Sequence, residues 1–337
     1  MEPIQSLEEG DGDGGGRDIV SAIPFKRPDH RTYLGGYDAG AILNIHRFRT
    51  GEQVVLEKLG KSEPKDTTYR MDRGSTLEPL MVKWYTEHSG ATVTYPVEFI
   101  RHPKHEFLGG HPDALALGNG TGRLRLVECK LTTRRSEYGA EGTDEVPDDV
   151  YCQVQHYAML LREALAPSGV DLDPIAHVVA DLGDEQPKVF ELPMVDEQLD
   201  FLRDAEVEFW NDFVAQGKLP PPANAAEARA RWPRETMPVA HATDANVIDH
   251  AEVLRLQAEI KSTKTSLEEA KLRIMRSMAE CGTLMLDDEI LARWSHVSSN
   301  RFDARAFRQA NPELAEQYMK ASETRRFTLK ERRSNAK

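Results

Sequence analysis

The run Gly109-Gly110-His111-Pro112-Asp113-Ala114-Leu115-Ala116-Leu117, followed across one turn by Leu124-Arg125-Leu126-Val127-Glu128-Cys129-Lys130, constrains this chain more than any other feature. Both runs are rich in alternating or β-branched apolar residues, and the Gly-Asn-Gly-Thr-Gly between them is turn-forming, so they read as adjacent strands. Asp113 and Glu128, 15 residues apart, are then brought to one end of a sheet. Side chains two apart on a strand share a face. Lys130 therefore sets an ammonium beside Glu128, while Cys129 points into the sheet. Two carboxylates in that position suit a hard cation with oxygen ligands, Mg²⁺ above all, which lowers the pKa of a water that Lys130 can orient or polarise.

A solitary Glu-x-Lys is more simply a surface pair, so the reading rests on what accompanies it. The segment from Asp72 to Gly90 predicts a helix with Leu77, Leu80, Met81, Trp84 and Tyr85 on one face, stopped by Gly90. Glu78 falls on roughly the side of Leu77 and Met81, and a buried carboxylate needs a partner such as a metal. Residues 91–100 read as a further strand, Pro147 opens a helix to about Ala166, residues 175–182 and 188–194 read as strands, and 195–217 as a helix. Gln153 and Tyr157, four apart on the helix after Pro147, share a face and can reach the same site. The order helix, three strands, helix, strand predicts an α/β fold with a mixed sheet.

The rest of the chain is organised differently. Residues 1–24 are rich in Gly, Glu and Asp and read as a disordered acidic arm. They show neither a basic start nor an apolar run, so the expectation is no secretory signal and a cytoplasmic chain, in a bacterial host cell if the gene is phage-borne. No run approaches the ~20 apolar residues of a membrane span. Cys129, Cys152 and Cys281 are scattered, without the paired spacing of a zinc or redox site. The net charge of −13 argues against nucleic acid at first sight, but it hides two basic segments, residues 123–135 and 320–337. A domain over 25–217 is followed by a Pro/Ala-rich linker over 218–246 and by an extension over 247–337. In that extension Val253, Leu256, Ile260, Thr263, Leu267, Ala270 and Ile274 alternate by three and four. This stripe reads equally as a coiled-coil seam or as a helix packed back on its own body. Beyond Cys281-Gly282 the expectation is a short hairpin, two short helices and a closing strand.

A Glu on a leading helix, Pro-Asp on one strand, Glu-x-Lys on the next and Gln-x-x-x-Tyr on a helix resembles the PD-(D/E)xK nuclease superfamily. More narrowly, the chain resembles its YqaJ and lambda-exonuclease branch over roughly residues 31–165, through LGGYDAGAI, RGSTLEPL, FLGGHPDAL, VECK and YCQVQHYAML. The resemblance implies a restriction-endonuclease-like α/β core and a catalytic set of Glu78, Asp113, Glu128, Lys130 and Gln153. It also implies Mg²⁺ or Mn²⁺ held by Glu78, Asp113, Glu128 and the backbone carbonyl of Cys129. The implied activity is 5′-to-3′ digestion of linear double-stranded DNA in phage-type recombination, leaving a single strand for an annealing protein.

Relatives often carry Ser where this chain has Tyr37 and His111. Arg31 and Arg134 or Arg135 are then the candidates for a terminal-phosphate pocket, and Tyr157 for a DNA contact. A homo-oligomer is a further expectation, as a ring or through the C-terminal helix. The alternatives are an endonuclease, a Cas4/RecB-type nuclease, which lacks its iron–sulfur cysteines here, and a DNA-binding module without catalysis.

Overall fold

A computed structural model of the chain describes residues 28–63, 67–117, 122–237, 239–321 and 324–330. The acidic arm expected over 1–24, and Arg332 and Arg333 of the basic tail, lie outside the described residues. The chain divides into two units, residues 1–225 and 226–337. No helix among the described residues is long and apolar enough to cross a membrane.

The first unit runs α1 (Gly36–Ile42), α2 (Gly51–Lys58), α3 (Tyr69–Ser89), β1 (Thr92–Thr94), β2 (Ile100–Arg101), β3 (Gly109–Gly110), β4 (Ala114–Leu117) and β5 (Leu124–Leu131). It continues with α4 (Asp148–Leu165), β6 (Ile175–Asp181), β7 (Lys188–Pro193) and α5 (Asp196–Phe209), closed by a π-helical turn at Trp210–Val214. Five strands form one sheet in the order β1-β4-β5-β6-β7. The β5–β6 pair is parallel and its other neighbours are antiparallel, which makes the sheet mixed, of the α/β class that the element order predicts. A parallel pair cannot be joined by a tight turn, and α4 lies in the crossover that joins this one.

Alternation along β5 divides the core in two. Leu126 packs with Val154, Ala158 and Leu161 of α4, whereas Val127 and Cys129 pack with Met81, Val82 and Tyr85 of α3. Each fully buried side chain of this size contributes about 1.5–3 kcal/mol. The α3 helix starts at the Thr68 cap, whose hydroxyl accepts from the Met71 amide at 3.3 Å, and it stops at Gly90 in the left-handed region at φ 65°. Its buried residues are Met81, Val82 and Tyr85, while Leu80, expected on the buried face, is exposed. The first half of α3 buries no residue, so the apolar spacing there has no wall to pack on.

The contact of α1 with α4 is unusually close. Gly36 and Gly40, one turn apart on α1, face Gln153 and Asp149 on α4, and a Cβ at Gly36 would stand 2.8 Å from Gln153 Cγ and 2.9 Å from Tyr157 Cζ. Only hydrogen fits there.

In the second unit, the Pro/Ala-rich segment read as a linker holds a short helix, α6 (Ala225–Arg231), which begins at the unit boundary. It is followed by α7 (Asp244–Met278), β8 (Thr283–Leu286), β9 (Glu289–Arg293), α8 (Ala304–Ala310) and α9 (Pro312–Gln317). The hairpin and two short helices match the expectation. The closing strand does not: residues 324–330 are in no strand, because no β-ladder partner lies beside them. Instead Phe327 and Leu329 line a groove with Val247 and Val253 of α7, and the Lys330 carbonyl accepts from the His250 ring at 2.9 Å.

Candidate active site

The register that pairs Ala114 with Val127 brings Asp113 and Glu128 to the same end of β4 and β5. Asp113 Oδ2 accepts from the Cys129 amide at 2.7 Å, which fixes its carboxyl on β5. Glu128 is 2% exposed and faces α4. Its Oε1 accepts from Lys130 Nζ at 2.8 Å and from Gln153 Nε2 at 2.7 Å, and Gln153 Oε1 accepts from Lys130 Nζ at 2.8 Å. Glu128, Lys130 and Gln153 thus close a three-membered ring of hydrogen bonds. Glu128 Oε2 is buried and has no hydrogen-bond partner among the described residues. Tyr157 stands behind this ring, buried, with its hydroxyl 3.4 Å from Gln153 Nε2.

The electrostatics follow from crowding three acids. Burial, then the neighbouring Glu128 charge, push the Asp113 carboxyl well above the usual carboxylate range, against the pull of Lys130. Burial disfavours the Lys130 ammonium, yet Glu128 and Asp113 hold it above the ordinary lysine value, so it stays charged. Glu78 is half-buried, on the helix that packs on the opposite face of the sheet, and it lines one cavity together with Asp113. It is hydrogen-bonded to Tyr95, whose phenol is pushed up to about 12 by burial and by that carboxylate. Among the described residues, no three His, Cys, Asp or Glu side chains are placed closely enough to hold a metal ion, and Glu78 shares the cavity with Asp113 without closing such a cluster.

The cavity beside Asp113, about 600 Å³, reaches from Glu78 and Asp113 past Tyr37 and His111 to Arg49 and Lys58. Asp38, the third residue of α1, joins these cations. It accepts from Arg49 at 2.6 Å and lies 2.8 Å from Lys58 Nζ, while its Oδ2 also accepts from the Gly35 amide at 3.0 Å. Although burial opposes it, Lys58 and Arg49 keep the Asp38 carboxyl below its ordinary value. Arg49 also approaches Glu57 at 3.1 Å and lies 5.0 Å over the Tyr37 ring, and its buried Nε has no hydrogen-bond partner among the described residues.

The three arginines singled out from the sequence are elsewhere. Arg31 is exposed and held by Asp29 at 2.6 Å, Arg134 bridges Glu137 and Asp149, and Arg135 meets Asp184 at 2.6 Å. None of them lines the cavity. Sequence reasoning missed Tyr95, Asp38, Arg49 and Lys58. One signal was available, because Lys58 sits a turn after the buried Val54 and Val55 on α2, where a lysine is out of place unless paired.

Gly36→Ala tests how tightly the ring is held. The added methyl must displace Gln153 and Tyr157, and a misplacement of about 1 Å in a reacting constellation costs on the order of 10²-fold in rate. The expected result is a loss of that size with a melting temperature lowered by only a few degrees. A rate loss no larger than the loss of folded protein would show that Gln153 has no positional role.

Residues 27–161 match the YqaJ-like viral recombinase domain. A relative from Bacillus subtilis (strain 168), uncharacterized protein YqaJ, is 27% identical over 311 residues, which span 90% of this chain and 92% of that one. Among solved structures, an alkaline exonuclease (LHK-Exo) from Laribacter hongkongensis is similar at a TM-score of 0.40 and 17% identity, over 60% of this chain and 95% of its own. A phage-related exonuclease from Haemophilus somnus 129PT is similar at a TM-score of 0.39 and 11% identity, over 55% of this chain and 96% of its own.

Proposed function

We propose that this chain, whose residues 27–161 match the YqaJ-like viral recombinase domain, is a cation-dependent deoxyribonuclease that digests linear duplex DNA from its 5′ ends during phage-type recombination. The observation that carries this reading is the ring of Glu128, Lys130 and Gln153 beside Asp113, with Glu128 Oε2 buried and bare.

A buried carboxylate oxygen without a donor is costly, and the raised Asp113 carboxyl beside it marks an excess of negative charge. Both call for a cation, and an all-oxygen donor set suits Mg²⁺ or Mn²⁺ rather than a softer metal. Asp113, Glu128 and the Cys129 carbonyl would hold it, with Glu78 available from α3. When bound, the cation supplies a water of lowered pKa and offsets the charge that builds on the scissile phosphate.

The protein's own part is positional. The Lys130 ammonium, fixed between two acceptors and kept protonated, is a charged donor for a phosphate oxygen or the attacking water rather than a proton acceptor. The Gln153 amide, braced by Tyr157, keeps Lys130 and Glu128 at hydrogen-bonding distance. At the far end of the cavity Arg49 and Lys58 offer the charge to hold a terminal phosphate, a role assigned to them in preference to Arg31, Arg134 or Arg135 because those three are outside the lining.

Duplexes labelled at either the 5′ or the 3′ end, digested with and without Mg²⁺, test the proposal. The 5′ label should be released first and only with the cation, closed circular DNA should resist, and a 5′-phosphorylated end should be digested about tenfold faster than a 5′-hydroxyl end. Cleavage of closed circles, or equal rates at both kinds of end, would refute the end-dependent reading.

A further inference from the structure

We infer that α7 is a self-association helix, pairing in parallel with α7 of a second copy of this chain. Among the described residues of the second unit only Met278 is buried. Yet α7 is 35 residues long, about 52 Å, and carries Leu256, Ile260, Leu267 and Ile274 exposed at 41%, 54%, 51% and 43%. These lie in the seam of Val253, Leu256, Ile260, Thr263, Leu267, Ala270 and Ile274, which repeats by three and four over three heptads. A long helix with such a seam in water is half of a coiled coil.

Two further observations select the occupant. Three of the four positions that begin each heptad (Val253, Ile260 and Ile274) are β-branched, the preference of parallel two-stranded coils, with Leu256 at the following seam position. A shallow groove of about 370 Å³ follows the seam, lined by Leu256, Glu259, Ile260, Thr263, Lys264 and Leu267, so that opposite charges flank the apolar floor. In a parallel, in-register pair Glu259 of each copy faces Lys264 of the other, giving two symmetric attractions. An antiparallel pair centred on the seam sets Glu259 level with Glu268, a like charge, and gains neither.

The full chain is examined by sedimentation across micromolar concentrations, with circular dichroism to confirm folding. The parent is expected to be dimeric, Ile260→Asp monomeric at the same concentrations, and each of Glu259→Lys and Lys264→Glu at least tenfold weaker in association. The double charge swap should restore the dimer. A cysteine at position 267, in a Cys281→Ser background, should give an interchain disulfide. A parent that is monomeric throughout, or whose dimer survives Ile260→Asp, overturns the proposal. A monomer that Ile260→Asp destabilises also overturns it and assigns the stripe to the chain's own surface. A dimer that the double swap does not restore and that the position-267 cysteine does not cross-link overturns the parallel register.

Discussion

Glu128→Gln is expected to reduce duplex cleavage by on the order of 10³-fold or more while leaving duplex affinity nearly unchanged. The amide keeps the size of the side chain and can still accept from Lys130 Nζ, so the ring with Gln153 persists in outline. What is lost is the negative charge on a group 2% exposed, together with the bare Oε2 on which the proposed cation site rests. Basic contacts to a DNA backbone, which the proposed function requires, would not depend on it. Cleavage kinetics at saturating Mg²⁺, set beside fluorescence anisotropy without the cation, separate the two effects. Lys130→Ala should be impaired comparably but should still bind Mg²⁺, read by calorimetry, because it removes a donor and not a ligand. If Glu128→Gln cleaves within tenfold of the parent, Glu128 is only a structural acid, and the proposed function loses its carrying observation.

What the sequence disclosed about this region was what period and turn chemistry can carry. The alternation along Leu124–Leu131 places Glu128 and Lys130 on one face and Val127 with Cys129 on the other, and the hairpin connection brings Asp113 alongside. Gln153 and Tyr157 follow from the four-residue spacing on a helix whose start Pro147 marks. These are local rules, and they locate residues on elements without knowledge of what packs where.

The residues that stayed hidden are those defined by encounters between distant segments. Arg49 looks like an ordinary surface cation in sequence, and although Lys58 follows Val54 and Val55 by a turn, only the packing of α1 on α2 closes both over Asp38. Arg31 and Arg134 differ in the opposite sense. They are rightly charged and near the motif, but they pair with Asp29, Glu137 and Asp149 away from the cavity that Asp113 lines. Leu80 shows the same limit for apolar spacing, since a helical face is buried only where a second surface exists to meet it. The closing strand over 324–330 is likewise absent: those residues join no ladder, and Phe327 and Leu329 lie along α7 instead.

His156 is the other residue whose partner the sequence could not name, and removing that partner is expected to be the most destabilising single change in the first unit. The imidazole on α4 and the Glu206 carboxylate on α5 are both fully buried at 2.8 Å, and the remaining ring nitrogen lies 3.3 Å from the Gly109 carbonyl, just ahead of Asp113. Breaking such a pair strands one group in the core, at a cost of about 3–5 kcal/mol. Glu206→Gln should therefore lower stability by that amount near pH 6, measured by urea unfolding.

The pH dependence carries a definite sign. Burial disfavours the imidazolium, but Glu206 raises His156 above its ordinary 6.5; burial raises Glu206 above 4.5, against the pull of His156. The folded chain thus holds protons more tightly than the unfolded one at both groups. Their contribution is complete below the unfolded values and is lost as pH rises through the folded ones. Parent stability should decline as pH climbs past the ordinary imidazole value, and the decline attributable to this pair should vanish in Glu206→Gln. An identical pH profile in parent and variant would mean that the pair is not held as an ion pair, and that α4 and α5 are joined by apolar packing alone.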